Sequence, residues 1–110
     1  MYDHGLERIL AVAVCALADG ARGVQIDPAA IDVFRRRFGV RIRTAVGEPG
    51  WRANWRKEEV YVRSFAAAVG RRARRFASEE GRAVIGEQDV ELALVKMRGH
   101  LPIAGRWCPC

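Results

Sequence analysis

The stretch Glu80-Gly81-Arg82-Ala83-Val84-Ile85-Gly86-Glu87-Gln88-Asp89-Val90-Glu91-Leu92-Ala93 decides the fold. Gly81 stops a long helical pattern, since glycine alone enters the left-handed conformation that ends many helices without a Cβ penalty. Ala83-Val84-Ile85 is then a short extended step. Glu87 to Met97 forms a last helix, with Val90, Ala93, Leu94 and Met97 turned inward. Acidic side chains stand in its first turn, where the helix dipole favours them.

Upstream, Trp51 to Glu80 contains no proline and a single glycine, Gly70. Trp51, Trp55, Val62, Phe65, Ala66, Val69, Ala73, Phe76 and Ala77 recur at three- and four-residue spacing and make one apolar stripe. A helix of roughly 30 residues is about 45 Å long. A stripe of that length needs a second long surface to cover it, and the simplest source is another copy of the chain. The sequence therefore predicts an obligate homodimer.

Further upstream, Gly47-Glu48-Pro49-Gly50 is a turn. Val40-Arg41-Ile42-Arg43-Thr44-Ala45-Val46 opens with strict alternation of apolar residues and arginine, the period of a half-buried strand. Asp27-Pro28 starts a helix, with Asp27 as N-cap and proline at the first helical position. Ile31, Phe34 and Phe38 line its buried side, Arg35, Arg36 and Arg37 crowd its last turn, and Gly39 closes it. Val24-Gln25-Ile26 is a short extended piece, preceded by the breaker Asp19-Gly20-Ala21-Arg22-Gly23. Residues 5–18 form a first helix, apolar nearly all round, which predicts burial on several sides. The expected fold class is mainly α, a helix–strand–long helix–strand–helix chain with an extra N-terminal helix. One domain spans residues 1–98, and residues 99–110 form a tail without periodicity.

The quoted segment resembles the end of an archaeal histone, where the central helix closes on Gly-Arg, an extended step follows, and the last helix opens on Glu-Asp-Ile/Val-x-Leu-Ala. The match covers about 14 residues, and flanking helix lengths extend it over residues 51–98. The resemblance implies that Arg82 and Asp89 form a structural ion pair holding loop against helix. It also implies that residues 28–38 are the first histone helix and residues 40–46 the first loop. In such dimers the long helices cross, and the first loop of one subunit lies beside the second loop of the other, on DNA. Arg41 and Arg43 would then stand next to the Arg82 turn of a partner. With Arg52, Arg56 and Lys57 they are the candidate DNA-binding residues, acting on backbone phosphates without sequence preference. Arg63, Arg71, Arg74 and Arg75 read instead as a solvated basic face.

Two departures stand out. The family has Lys-Thr after Gly-Arg, whereas Ala83-Val84 stand here and cannot reach phosphate. The first connection, Gly39 to Gly50, is also longer than usual. A histone-fold protein-interaction or regulatory module that does not bind DNA is therefore the alternative reading. A second likeness is to the C-terminal helical module of the light-independent protochlorophyllide reductase B subunit. Arg71-Arg72-Ala73-Arg74-Arg75-Phe76-Ala77-Ser78-Glu79-Glu80-Gly81 resembles its Arg-Arg-x-x-Arg-Phe-Ala-x-Glu-x-Gly run, and would imply a stand-alone accessory module.

One internal pattern offers another architecture. At an offset of 59, Leu10, Leu17, Ala18, Ile26, Ile31 and Val33 fall on Val69, Phe76, Ala77, Ile85, Val90 and Leu92. Two histone-like units in one chain would make it an intrachain pseudo-dimer. Equally, any two helix–step–helix segments align their apolar stripes.

Charge and cysteines bound the function. The 110 residues carry a net charge of +6. Residues 1–34 hold 2 basic and 5 acidic side chains, residues 35–82 hold 14 and 5, and residues 83–110 hold 3 and 3. A positive field in the middle attracts polyanions. The competing reading is compositional, since 17 of the 19 basic residues are arginine, as GC-rich coding favours. Cys15 sits in an apolar run and reads as a small buried hydrophobe. Cys108 and Cys110 lack further ligands at metal spacing, so no metal and no cofactor is expected. Ile9–Ala18 resembles a signal-peptide core, but Asp3 and Glu7 outweigh Arg8 before it, and ten apolar residues do not span a bilayer. No membrane association and a cytoplasmic, nucleoid location follow. Without a phosphate-cradling loop, zinc ligands or a nucleophile with its base, the chain does not read as an enzyme.

Overall fold

The computed structural model describes the backbone of residues 2–46 and 55–97, and the side chains of residues 7–40, 60 and 62–97. Helix α1 (Tyr2–Ala21) leads through strand β1 (Gln25–Ile26) into α2 (Pro28–Val46). Helix α3 (Trp55–Glu79), strand β2 (Val84–Ile85) and α4 (Glu87–Lys96) repeat that order. The architecture is mainly α. The four helices form a closed ring: α1 packs on α3, α3 on α4, α4 on α2, and α2 on α1. Across the centre, Phe38 of α2 stacks on Phe34 at 5.3 Å and on Phe65 of α3 at 5.5 Å between ring centroids.

The two strands pair in parallel, Gln25 with Val84 and Ile26 with Ile85. Both pairs are separated by the 59 residues of the internal offset, so like positions of two helix–strand–helix units lie side by side. The backbone around them repeats at the same interval. Arg22 (φ 48) and Gly81 (φ 71) each take the left-handed conformation after their helices. Ala30 and Ile31 donate to the Asp27 carbonyl as Asp89 and Val90 donate to that of Gly86. The starts of α2 and α4 are capped differently. The Asp27 carboxylate accepts from the Ala29 N–H at 2.9 Å, whereas Gly86 has no side chain and relies on Asp89.

Helix α1 is longer than its sequence pattern suggests because Gly20 does not break it. A Cβ at Gly20 would collide with the Ala67 carbonyl of α3, and one at Gly70 with the Leu17 carbonyl of α1. The two helices run in opposite directions through this contact, with backbones nearly touching. Around it Ile9, Ala13, Ala16, Leu17 and Ala21 of α1 and Val62, Phe65, Ala66, Val69, Ala73 and Ala77 of α3 are buried. Each large apolar side chain so buried contributes about 1.5–3 kcal/mol.

Three expectations are corrected. Residues 40–46 are not a strand but the end of α2. Gly39 keeps helical geometry, buried beside Leu10 of α1, and four alternating residues are too few to override a helix already propagating. Along its described part, the apolar stripe of α3 is covered by α1 of the same chain. Helix α1 is not buried on several sides, since Ala11, Cys15 and Ala18 face solvent. Cys15 is accordingly an exposed thiol rather than a core residue. The expected turn at 47–50, the residues Trp51 and Arg52, and the tail lie outside the described residues.

Gly70→Leu forces the two helix backbones apart. It is expected to cost about 1–3 kcal/mol or more of stability in urea unfolding, whereas Gly23→Ala, with open space around it but a positive φ of 81, costs only about 1 kcal/mol.

Candidate nucleic-acid interface

Two surfaces compete for the role of a polyanion site: the paired loops and the outer face of α3. The loops are governed by Arg82, which leaves the Gly81 turn pointing at the start of α4. Its Nη2 donates to Asp89 Oδ1 at 2.8 Å, its Nη1 donates to Asp89 Oδ2, and Nη2 also meets Glu80 Oε1 at 2.6 Å. Asp89 is 2% exposed and accepts a further bond from the Gly86 N–H at 2.8 Å, half of a capping box.

Burial pushes the Asp89 carboxyl up. The bonds from Arg82 and from the Gly86 N–H outweigh it, and the group ends below its ordinary value of 3.8. The same side-chain bonds to Asp89 and then Glu80 raise the Arg82 guanidinium further above its ordinary range. Arg82 is thus spent inside the protein. Around it Asp27, Glu80 and Glu87 are exposed, as are Ala83 and Val84. Apart from exposed Arg22 in the turn before β1, this edge presents carboxylates and small apolar groups, which repel or ignore phosphate.

Of the residues expected to bind DNA, Arg41 and Arg43 belong to α2 and are not on a strand beside the Arg82 turn; that place is taken by Gln25–Ile26. Their side chains lie outside the described residues. So do those of Arg56 and Lys57, which belong to the first turn of α3, and all of Arg52. Arg82 and Asp89 are the two singled-out residues that the fold brings together.

The outer face of α3 is different. Arg71, Arg72, Arg74 and Arg75 are exposed, Arg71 and Arg75 opposite the buried stripe of Val62, Phe65, Val69 and Ala73 and Arg72 and Arg74 on its two flanks. Among the described residues none of the four has a hydrogen bond or an ion pair. Arg71 and Arg75 stand four apart and Arg72 and Arg75 three apart, spacings at which like charges repel by about 0.2–0.5 kcal/mol per pair. Their signal was already in the sequence, because they fill the polar arc of the helix, yet a solvated face gives the same pattern. On α2, Arg35 and Arg36 are exposed near Asp32, and Arg37 donates to Glu91 of α4 at 2.7 Å. That exposed pair contributes about 1 kcal/mol at most.

Among the described residues no group of three or more His, Cys, Asp or Glu side chains could hold a metal ion, and no helix is long and apolar enough to cross a membrane. Comparison with protein-family models, with curated proteins and with solved structures finds no match for this chain.

Asp89→Ala removes the two carboxylate oxygens that accept from Arg82 and from the Gly86 N–H, leaving Arg82 only Glu80. It is expected to lower unfolding free energy by about 2–4 kcal/mol. Because the folded-state carboxyl is depressed, the stability it adds is complete above its ordinary value of 3.8 and is lost as pH falls through the folded value. Urea midpoints followed into acid should therefore fall more steeply for the wild type than for Asp89→Ala.

Proposed function

We propose that this chain is a histone-like pseudo-dimer that binds double-stranded DNA through its phosphate backbone, by contact rather than by catalysis. Residues 2–46 supply the half that a second subunit supplies in a histone dimer, and a nucleoid location in the cytoplasm suits such a role. The observation that carries the binding reading is the group Arg71, Arg72, Arg74 and Arg75: four exposed guanidinium groups within five residues, with no carboxylate answering them among the described residues. Bound phosphates would relieve their mutual repulsion and release counterions. The site so proposed differs from the loop site of the histone resemblance, because Arg41 and Arg43 belong to α2 rather than to a loop.

A second reading has its own observation. Leu92 and Val95 of α4 and Val84 of β2 are exposed large apolar residues, an arrangement that suits a protein-binding module without DNA. The two readings separate in one titration. Fluorescence anisotropy with a mixed-sequence duplex, repeated over a salt series, is expected to show binding that weakens steeply with salt. The double variant Arg71→Ala/Arg75→Ala should shift the slope of log K against log salt by about two, with an unchanged circular-dichroism melt. Absence of binding at the lowest salt would leave the protein-binding module.

The same fold makes a second expectation. With α3 covered by α1, sedimentation equilibrium at micromolar concentration should give a folded monomer, and an obligate dimer that unfolds on dilution would contradict the pseudo-dimer.

A further inference from the structure

We propose that one copy of the chain bridges two DNA duplexes, one on each of two opposed basic ridges; this rests on the DNA-binding reading above. The ring of helices alternates in charge. Helix α1 carries three carboxylates against one arginine, and α4 three carboxylates against one lysine. Helix α2 carries five arginines against one aspartate, and α3 seven basic residues against three glutamates. Neighbours in the ring therefore have opposite sign, and the two basic helices are the diagonal pair that meets only through the aromatic centre.

Diagonal helices in a four-membered ring turn their outer faces away from each other. Arg71, Arg72, Arg74 and Arg75 emerge on one side, Arg35 and Arg36 on the other, the latter near Asp32. The shorter dimensions of the molecule are 27 and 19 Å, more than twice the screening length of about 8 Å at physiological ionic strength. The two ridges thus act on phosphate as separate sites. A single duplex bent from one ridge to the other would have to pass α1, where exposed Glu7 and Asp19 outnumber exposed Arg8, or α4, where exposed Glu87 and Lys96 balance. Neither path offers net attraction for phosphate, which favours a straight duplex on each ridge.

The test uses the full chain, one duplex fixed to beads and a second, fluorescent duplex of the same sequence in solution. At low salt the wild type should retain fluorescence on the beads. Arg35→Ala/Arg36→Ala should still bind one duplex in anisotropy, yet lose retention by roughly tenfold as one set of phosphate contacts goes, whereas Arg71→Ala/Arg75→Ala should lose retention together with part of its duplex binding. Circular dichroism reports whether each variant is folded, and the two variants sit on different helices, so both would have to misfold to hide the effect. Duplex binding by the wild type without retention overturns bridging and leaves the binding reading intact. Undiminished retention by the α2 variant overturns it as well. So does retention that tracks self-association seen by sedimentation without DNA, since alternating charge could then be joining copies of the chain. Absence of any duplex binding overturns both proposals.

Discussion

The backbone contact between α1 and α3 at Gly20 and Gly70 is the constraint from which the remaining geometry follows. Each glycine costs about 1 kcal/mol relative to alanine inside a helix. That cost is offset because no Cβ keeps the helices apart, so the neighbouring Leu17, Ala66, Val69 and Ala73 are fully buried between them. The close approach also sets the distance between the two helix ends. From there the Arg22 and Gly81 turns feed Gln25–Ile26 and Val84–Ile85 into one parallel pair. Two-residue strands have little stability of their own. They are held by the buried Ile85 side chain and by the Asp27 N–H, which donates to the Ile85 carbonyl at 2.9 Å.

Equality between the strand register and the 59-residue offset gives the internal repeat a physical basis that apolar stripes alone lack. A stripe aligns with any other stripe, whereas coincident left-handed residues and coincident first-turn bonds depend on local backbone chemistry. The two halves nonetheless differ where the second carries its lock. Positions 82 and 89 hold Arg and Asp, and the positions 59 before them hold Gly23 and Ala30. The first loop has no ion pair there. It depends on the Asp27 cap and on the second loop beside it, so the Arg82–Asp89 pair steadies both.

The sequence made the second unit legible and misread parts of the first. Gly81, the Val84–Ile85 step and the start of the last helix could be read because each rests on local chemistry. Gly20 and Gly39 could not. A glycine inside a helix and a glycine that ends one look alike until the neighbouring helix is present, which is α3 for Gly20 and α1 for Gly39. The same gap explains Val40–Val46, where brief alternation imitates a strand. It explains Cys15 too, because an apolar helix does not declare how many of its sides are covered. The demand for a partner was sound in its physics, since α3 does need a long second surface. Along the described part of α3, α1 supplies that surface from within the chain.

The position of charge follows from that covering. Once α1 and α4 take the two sides of α3 and the aromatic centre takes its inner face, the arc left to solvent is the one bearing Arg71, Arg72, Arg74 and Arg75. The loop arginine Arg82 is held against the start of α4, because Asp89 is buried and must be neutralised where it lies. One guanidinium thus serves the fold, and four stand clear of it. A protein under no demand to meet polyanions gains nothing by crowding like charges into two turns of one helix, since each such pair costs a few tenths of a kcal/mol. The same residues without carboxylate partners are what a phosphate surface requires, and this asymmetry between the inward and outward arginines is the strongest physical reason to look for DNA on α3.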